Sequence, residues 1–297
     1  MTTVSESYVT TDDGLRLFVR RVGEGGDIVL FLNGVVIADD FAPLAERHTM
    51  VFFDNRNRGR SDAARDRAQI ERGIHHDIDD LETLRRHFGV GQVDVIGHSY
   101  AGFTAAMYAT THPSAARRII QIGPMGPDQS RQYPAHLSNV DETMQKAMAA
   151  LGELLAQQTT LDPIELCRRF WSIMSPVYVM NPADITKLRW AQCDSANERN
   201  FLGPWMQYIQ PSIQQLQLTE QAVAAATAPV LVVHGTKDRN APIGAGREWA
   251  RILPNARLLA IENAAHVPWI EAPELVLGAM RTFLDGEWPP GAEQIVS

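Results

Sequence analysis

The chain has 297 residues, 45% of them hydrophobic, and a formal net charge of −8. This length allows one large or two ordinary domains with a sizeable core, and the acidic balance argues against a nucleic-acid partner. No stretch approaches 18 uninterrupted apolar residues, so no membrane span is expected, and the polar start MTTVSESYVTTDDG does not read as a signal peptide. Two cysteines, Cys167 and Cys193, make no disulfide framework, so a reducing, cytoplasmic setting is the expectation. They lie far apart with no histidine between them, so a metal site is not expected, nor is another cofactor.

Taken in chain order, Ser5 to Thr11 and Leu15 to Val22 are predicted strands, joined by the hairpin signal Asp12-Asp13-Gly14. Further strands are predicted at Ile28 to Leu32 and Met50 to Phe53. From Ile70 to Phe88 the apolar residues Ile74, Ile78, Leu81, Leu84 and Phe88 recur at helical spacing, and Gly89 ends the run. A short strand follows at Val93 to Ile96, then an alanine-rich helix from Phe103 to Thr111, then a strand at Arg118 to Ile122. Between about Gly123 and Ala226 only helices are expected. One carries Met144, Met148, Leu151 and Leu155 on a face, and another Ile164, Cys167, Trp171 and Met174. Alternation resumes with a strand at Pro229 to Val233, a helix around Gly244 to Ile252, a strand at Arg257 to Ile261 and a closing helix at Pro273 to Leu284.

Strands separated by helices imply an α/β fold, a mostly parallel sheet covered on both faces. Residues 1–123 and 227–297 would form that core. Residues 124–226 would be an inserted helical cap, since a structureless loop of that length is improbable. Ligands in such sheets collect at the carboxyl ends of the strands.

One such end carries the run Gly97-His98-Ser99-Tyr100-Ala101-Gly102. The strand stops on a glycine and a helix follows, so Ser99 sits on a tight turn that lifts its hydroxyl to the sheet edge. Small residues at positions 97 and 101 suit a turn where a bulky side chain would meet neighbouring backbone. A serine nucleophile needs a base, and histidine suits because it titrates near neutrality. Of nine histidines, His266 stands apart, in the loop Asn263-Ala264-Ala265-His266 directly after the last strand. His234 ends an apolar strand and reads as a packing or hydrogen-bonding residue. The base in turn needs an acid, and Asp238 lies in the loop after the preceding strand, giving the order Ser, Asp, His. Glu262 and Asp128 are the alternative acids. Arg56, Arg58 and Arg60 read as salt-bridging or loop-anchoring groups.

These segments, with Asp54-Asn55-Arg56-Asn57-Arg58-Gly59-Arg60-Ser61-Asp62, resemble the α/β-hydrolase superfamily from about Tyr8 to Leu284. The helical insert and the Glu271-Ala272-Pro273 ending are most similar to its proline-iminopeptidase-like and esterase-like branches. The resemblance implies oxyanion donors at the backbone N–H groups of Val35 and Tyr100. It also implies a role for Glu198, or Asp194, in holding a substrate amino group if the chain acts as an iminopeptidase. Two departures stand out: Asn33 occupies the position of a usual histidine, and Val35-Val36-Ile37-Ala38 replaces a glycine-rich loop.

The expected substrate is a small, largely apolar molecule cleaved at an ester, lactone or amide. Trp171, Tyr178 and Trp205 of the insert are candidates to line its pocket. Aspartate-nucleophile chemistry is disfavoured because the turn holds serine. Carbon–carbon cleavage, a lyase reaction and a non-catalytic ligand receptor on the same fold remain alternatives.

Overall fold

The computed structural model describes residues 3–216 and 218–296. Its strands are β1 (Val4–Thr10), β2 (Arg16–Val22), β3 (Ile28–Leu32), β4 (Thr49–Phe53), β5 (Val93–His98), β6 (Ala116–Ile122), β7 (Val230–Gly235) and β8 (Ala256–Ile261). They form one sheet in the order β1-β2-β4-β3-β5-β6-β7-β8. β1 and β2 pair antiparallel through the predicted hairpin, β2 pairs antiparallel with β4, and every pairing from β4 to β8 is parallel.

The principal helices are α1 (Ile74–His87), α2 (Tyr100–Thr111), α3 (Glu142–Ala156), α4 (Pro163–Tyr178), α5 (Ile243–Ile252) and α6 (Pro273–Leu284). The central strands are buried on both faces because a parallel sheet is covered twice. Leu30, Val51, Val95 and Val230 point to one apolar cluster, with Leu81 of α1, Phe103 of α2 and Trp249 of α5. Their neighbours Val29, Phe52, Ile96 and Leu231 point to the other, with Phe41 and with Val276 and Met280 of α6.

Several boundaries shift. α1 begins at Ile74 rather than Ile70, because a 3₁₀ turn at Arg67–Gln69 and Gly73 at φ +56 precede it. α2 begins at Tyr100, three residues earlier than predicted, so the serine turn has no slack on its helix side. Among the described residues between β6 and β7 there are helices and turns only. α3 is capped by Asp141 and α4 by Asp162, whose carboxylate accepts the Ile164 N–H at 2.9 Å. Of the predicted α3 stripe, Met144 and Leu151 pack with Ala147 against α4, while Met148 is half exposed and Leu154 is buried in addition.

The cysteines correct the sequence expectation. Cys167 and Cys193 form a disulfide, with Cα atoms 5.7 Å apart, joining α4 to the segment that precedes Ala196–Arg199. Both are buried in the apolar cluster beside α6. Chain folding between them, invisible in a bare cysteine count, brings them together. Among the described residues no helix is long and apolar enough to cross a membrane.

Candidate active site

Ser99 alone makes the turn between β5 and α2, at φ 57 and ψ −120, a conformation L residues seldom hold. The turn is so tight that a Cβ on Gly97 would lie 2.0 Å from the Ala101 carbonyl oxygen. The Ser99 N–H donates to the Ile122 carbonyl of β6 at 2.9 Å, which fixes the turn against the neighbouring strand. The N–H groups of Val35, opening a short turn after Gly34, and of Tyr100, opening α2, donate to no backbone carbonyl among the described residues. Tyr100 is anchored by its own side chain, whose hydroxyl donates to Asp77 Oδ2 at 2.5 Å, and by Trp205, edge-on at 5.3 Å.

Asp238 follows β7 and His266 follows β8, and both are fully buried. His266 Nδ1 lies 2.7 Å from Asp238 Oδ2. The other carboxylate oxygen accepts the N–H groups of Asn240 and Ala241, each at 2.9 Å. Burial alone would raise the Asp238 carboxyl, but His266 and His234 hold it well below the usual carboxylate range. An ionised Asp238 requires Nδ1 of His266 to carry the proton, which leaves Nε2 as an acceptor in the neutral ring. Glu262 instead meets Thr236 at the surface, and Asp128 bonds Ser130, so neither alternative acid meets the imidazole.

The sequence profile of the alpha/beta hydrolase fold family matches residues 23–273. The chain belongs to this family. It is a hydrolase by that membership, and its relatives span several activities. It is 25% identical to the 2-hydroxymuconate semialdehyde hydrolase of Pseudomonas putida, over 72% of this chain and 68% of that one. It is 22% identical to the proline iminopeptidase of Heyndrickxia coagulans, over 95% and 99%. In three dimensions it is similar to an esterase from Exiguobacterium antarcticum, with a TM-score of 0.73, 16% identity and coverage of 95% and 100%.

The hydrolase's inserted helices reach this site. The His266 N–H donates to the Tyr178 carbonyl at 3.1 Å, and the Tyr178 ring stands edge-on to the imidazole at 4.8 Å. Trp190 stacks on His98 at 5.5 Å, and His98 in turn lies 4.4 Å from the His266 ring. Trp171 stands behind Tyr178 and Trp190, so of the predicted aromatics Tyr178 comes beside His266 and Trp205 beside Tyr100, while Trp171 packs on Tyr178. Arg239 ties the loop after β7 to the helices between β6 and β7, donating to the Val179 carbonyl and to Asp141.

Glu198 lines the cavity beside Val35 and is paired within the protein. Its carboxylate takes a bidentate pair from Arg58, at 3.0 and 2.8 Å, and the Gly59 N–H at 2.7 Å. Arg58 holds it below the usual range against the effect of burial, so its charge is already spent inside the protein. Asp194 lies at the surface, paired with Arg168. The other two arginines also pair as expected: Arg56 with Asp80 and Asp13, Arg60 with Glu6.

A cavity of about 420 Å³ opens beside Val35, lined by Asn33, Val36, Asp54, Arg58 and Glu198 among others. Neither Ser99 nor His266 lines it. Asn33, two residues before Val35 in the same cavity lining, holds φ 49, left-handed backbone that asparagine tolerates.

Sequence reasoning read His234 as a packing or hydrogen-bonding residue but did not place it beside Asp238, and it missed Asn240. His234 Nε2–H donates to the Ala241 carbonyl at 2.7 Å and stands 3.3 Å from Asp238 Oδ2. Asn240 places its side-chain nitrogen 3.0 Å from His266 Nε2. Proximity of Asn240 to Asp238 in the chain was the available signal. Nothing local says that its amide reaches a histidine from another strand.

Proposed function

We propose that the protein is a serine hydrolase that cleaves an ester, lactone or amide of a small, largely apolar molecule through an acyl-enzyme. The observation that carries this is the buried His266–Asp238 pair at 2.7 Å, together with Ser99 strained on its own strand-to-helix turn. Ser99 Oγ attacks the carbonyl carbon as His266 Nε2 takes its proton. The unbonded N–H groups of Val35 and Tyr100 receive the oxyanion. The imidazolium returns the proton to the leaving group, and a water activated by the same nitrogen releases the acyl group. Asp238 holds the imidazole in one tautomer and stabilises its charged form throughout.

The insert, residues 124–226, acts as a lid. Tyr178, Trp190 and Trp205 supply apolar surface around the reacting groups and exclude water from them. An iminopeptidase reading is weakened by Glu198, whose carboxylate is committed to Arg58.

A fluorophosphonate probe tests the assignment. Mass spectrometry should find the adduct on Ser99, and Ser99→Ala should lose both labelling and turnover while keeping its melting temperature. An adduct on another serine with Ser99 unmodified would overturn it. A panel of esters, lactones and amides then separates the bond classes.

A further inference from the structure

The imidazole nitrogen that must receive the serine proton is already occupied. Asn240 Nδ2 lies 3.0 Å from His266 Nε2, whereas Ser99 Oγ has no hydrogen-bond partner among the described residues. With Nδ1 bonded to the ionised Asp238, the neutral ring offers one in-plane lone pair at Nε2. That lone pair accepts one good donor at a time. The Asn240 amide N–H and the Ser99 hydroxyl therefore compete for it.

From this contact we infer that Asn240 is a positioning residue that parks the base, so that its amide competes with Ser99 for His266 and slows activation until a substrate displaces it. The inference rests on the serine-hydrolase function proposed above. The build of the turn supports it. The Asn240 backbone N–H donates to Asp238 Oδ1 at 2.9 Å, so the residue is fixed to the acid while its side chain reaches the base. The amide oxygen has no partner among the described residues, and the side chain is only partly buried. Rotation about its own side-chain bonds therefore frees Nε2 without disturbing the Asp238 loop. The parked amide also stabilises the Nδ1–H tautomer that base catalysis needs, so the resting site is ordered for reaction but held from it.

The experiment measures the rate at which a small fluorophosphonate labels Ser99. In that reaction Ser99 Oγ bonds to phosphorus, fluoride leaves and His266 takes the hydroxyl proton. Labelling needs Nε2 free to take the Ser99 proton, so its rate reports on the parked amide. Asn240→Leu keeps the volume and removes the donor, and it should label faster on the order of tenfold, the loss of one hydrogen bond. Asn240→Ala serves as a second variant and should change in the same direction. A merely structural role would lower the melting temperature without raising the rate. Equal or slower labelling of the variants, with wild type labelled at Ser99, overturns the parking role and leaves the hydrolase function standing. No Ser99 labelling in any of the three overturns both. On wild type alone, a nitrogen–nitrogen coupling across the Asn240–His266 hydrogen bond should be seen by NMR and vanish once Ser99 is modified. Its absence in the free enzyme also overturns the inference.

Discussion

The loops after β4 and after β7 each bury an aspartate at the carboxyl edge of the sheet, and the two ionise in opposite directions. Asp54 is 5% exposed and Asp238 is 0% exposed. Burial pushes Asp54 up to about 6, and the nearby Glu198 charge adds to this, against one hydrogen bond from the Arg60 N–H. Asp238 is more deeply buried yet is held well below the usual range by His266 and His234, with two backbone N–H groups on its other oxygen. Burial sets the cost of a charge, and the donors around it decide whether the charge persists. Only the second loop keeps a carboxylate able to stabilise an imidazolium. The first holds a carboxyl that burial pushes up to about 6 and that accepts the Arg60 N–H within the Asp54–Asp62 loop.

The largest expected effect breaks the donor arrangement after β7. Asp238→Asn keeps the shape but lets His266 take the wrong tautomer, so kcat should fall at least about 10²-fold; the equivalent change in serine proteases costs about 10⁴-fold. Steady-state kinetics and a melting curve on the same preparation check this. Near wild-type kcat with a lower melting temperature would reduce Asp238 to a turn residue.

Asp54→Asn should leave turnover much less affected and change the pH dependence of stability instead. Because the folded value lies above the usual 3.8, the native state binds this proton more tightly than the unfolded chain does. The resulting stability is fully present below about pH 4 and is lost as pH rises through about 6. The loss amounts to at most about 3 kcal/mol for a shift of this size. Denaturant melts between pH 4 and 7 should show that component in wild type and not in Asp54→Asn. The same slope in both proteins would mean that Asp54 is not the titrating group.

The smallest effect serves as the exposed control. Glu6 pairs with Arg60 at 3.0 Å, but both side chains are nearly half exposed. Glu6→Gln should change stability by less than about 1 kcal/mol, and less still at high salt. A loss comparable to that at Asp54 would show that charge pairing outweighs burial in this loop.

Much of this was legible along the chain because the deciding interactions are local. A tight turn needs small residues at its flanks, so Gly97 and Ala101 around Ser99 announce it in one short window. The strands β3 and β4 and the helix α6 fall close to where their apolar runs put them. Asp238 and His266 could be singled out because each follows a strand of one parallel sheet, and such loops share an edge. Local patterns gave no sign of Glu198 meeting Arg58, of Cys167 meeting Cys193, or of the Asn240 amide on His266.

The sequence by itself determined the alternation of strands and helices, the serine turn and the placing of Asp238 and His266 in loops after successive strands, because periodicity and steric limits act over a few neighbouring residues. Only the tertiary structure decided which charges are spent on one another, which aromatics reach the imidazole, and which donor holds its free nitrogen. Those outcomes depend on distances of about 3 Å between atoms from different strands and helices, set by how the sheet and its insert pack.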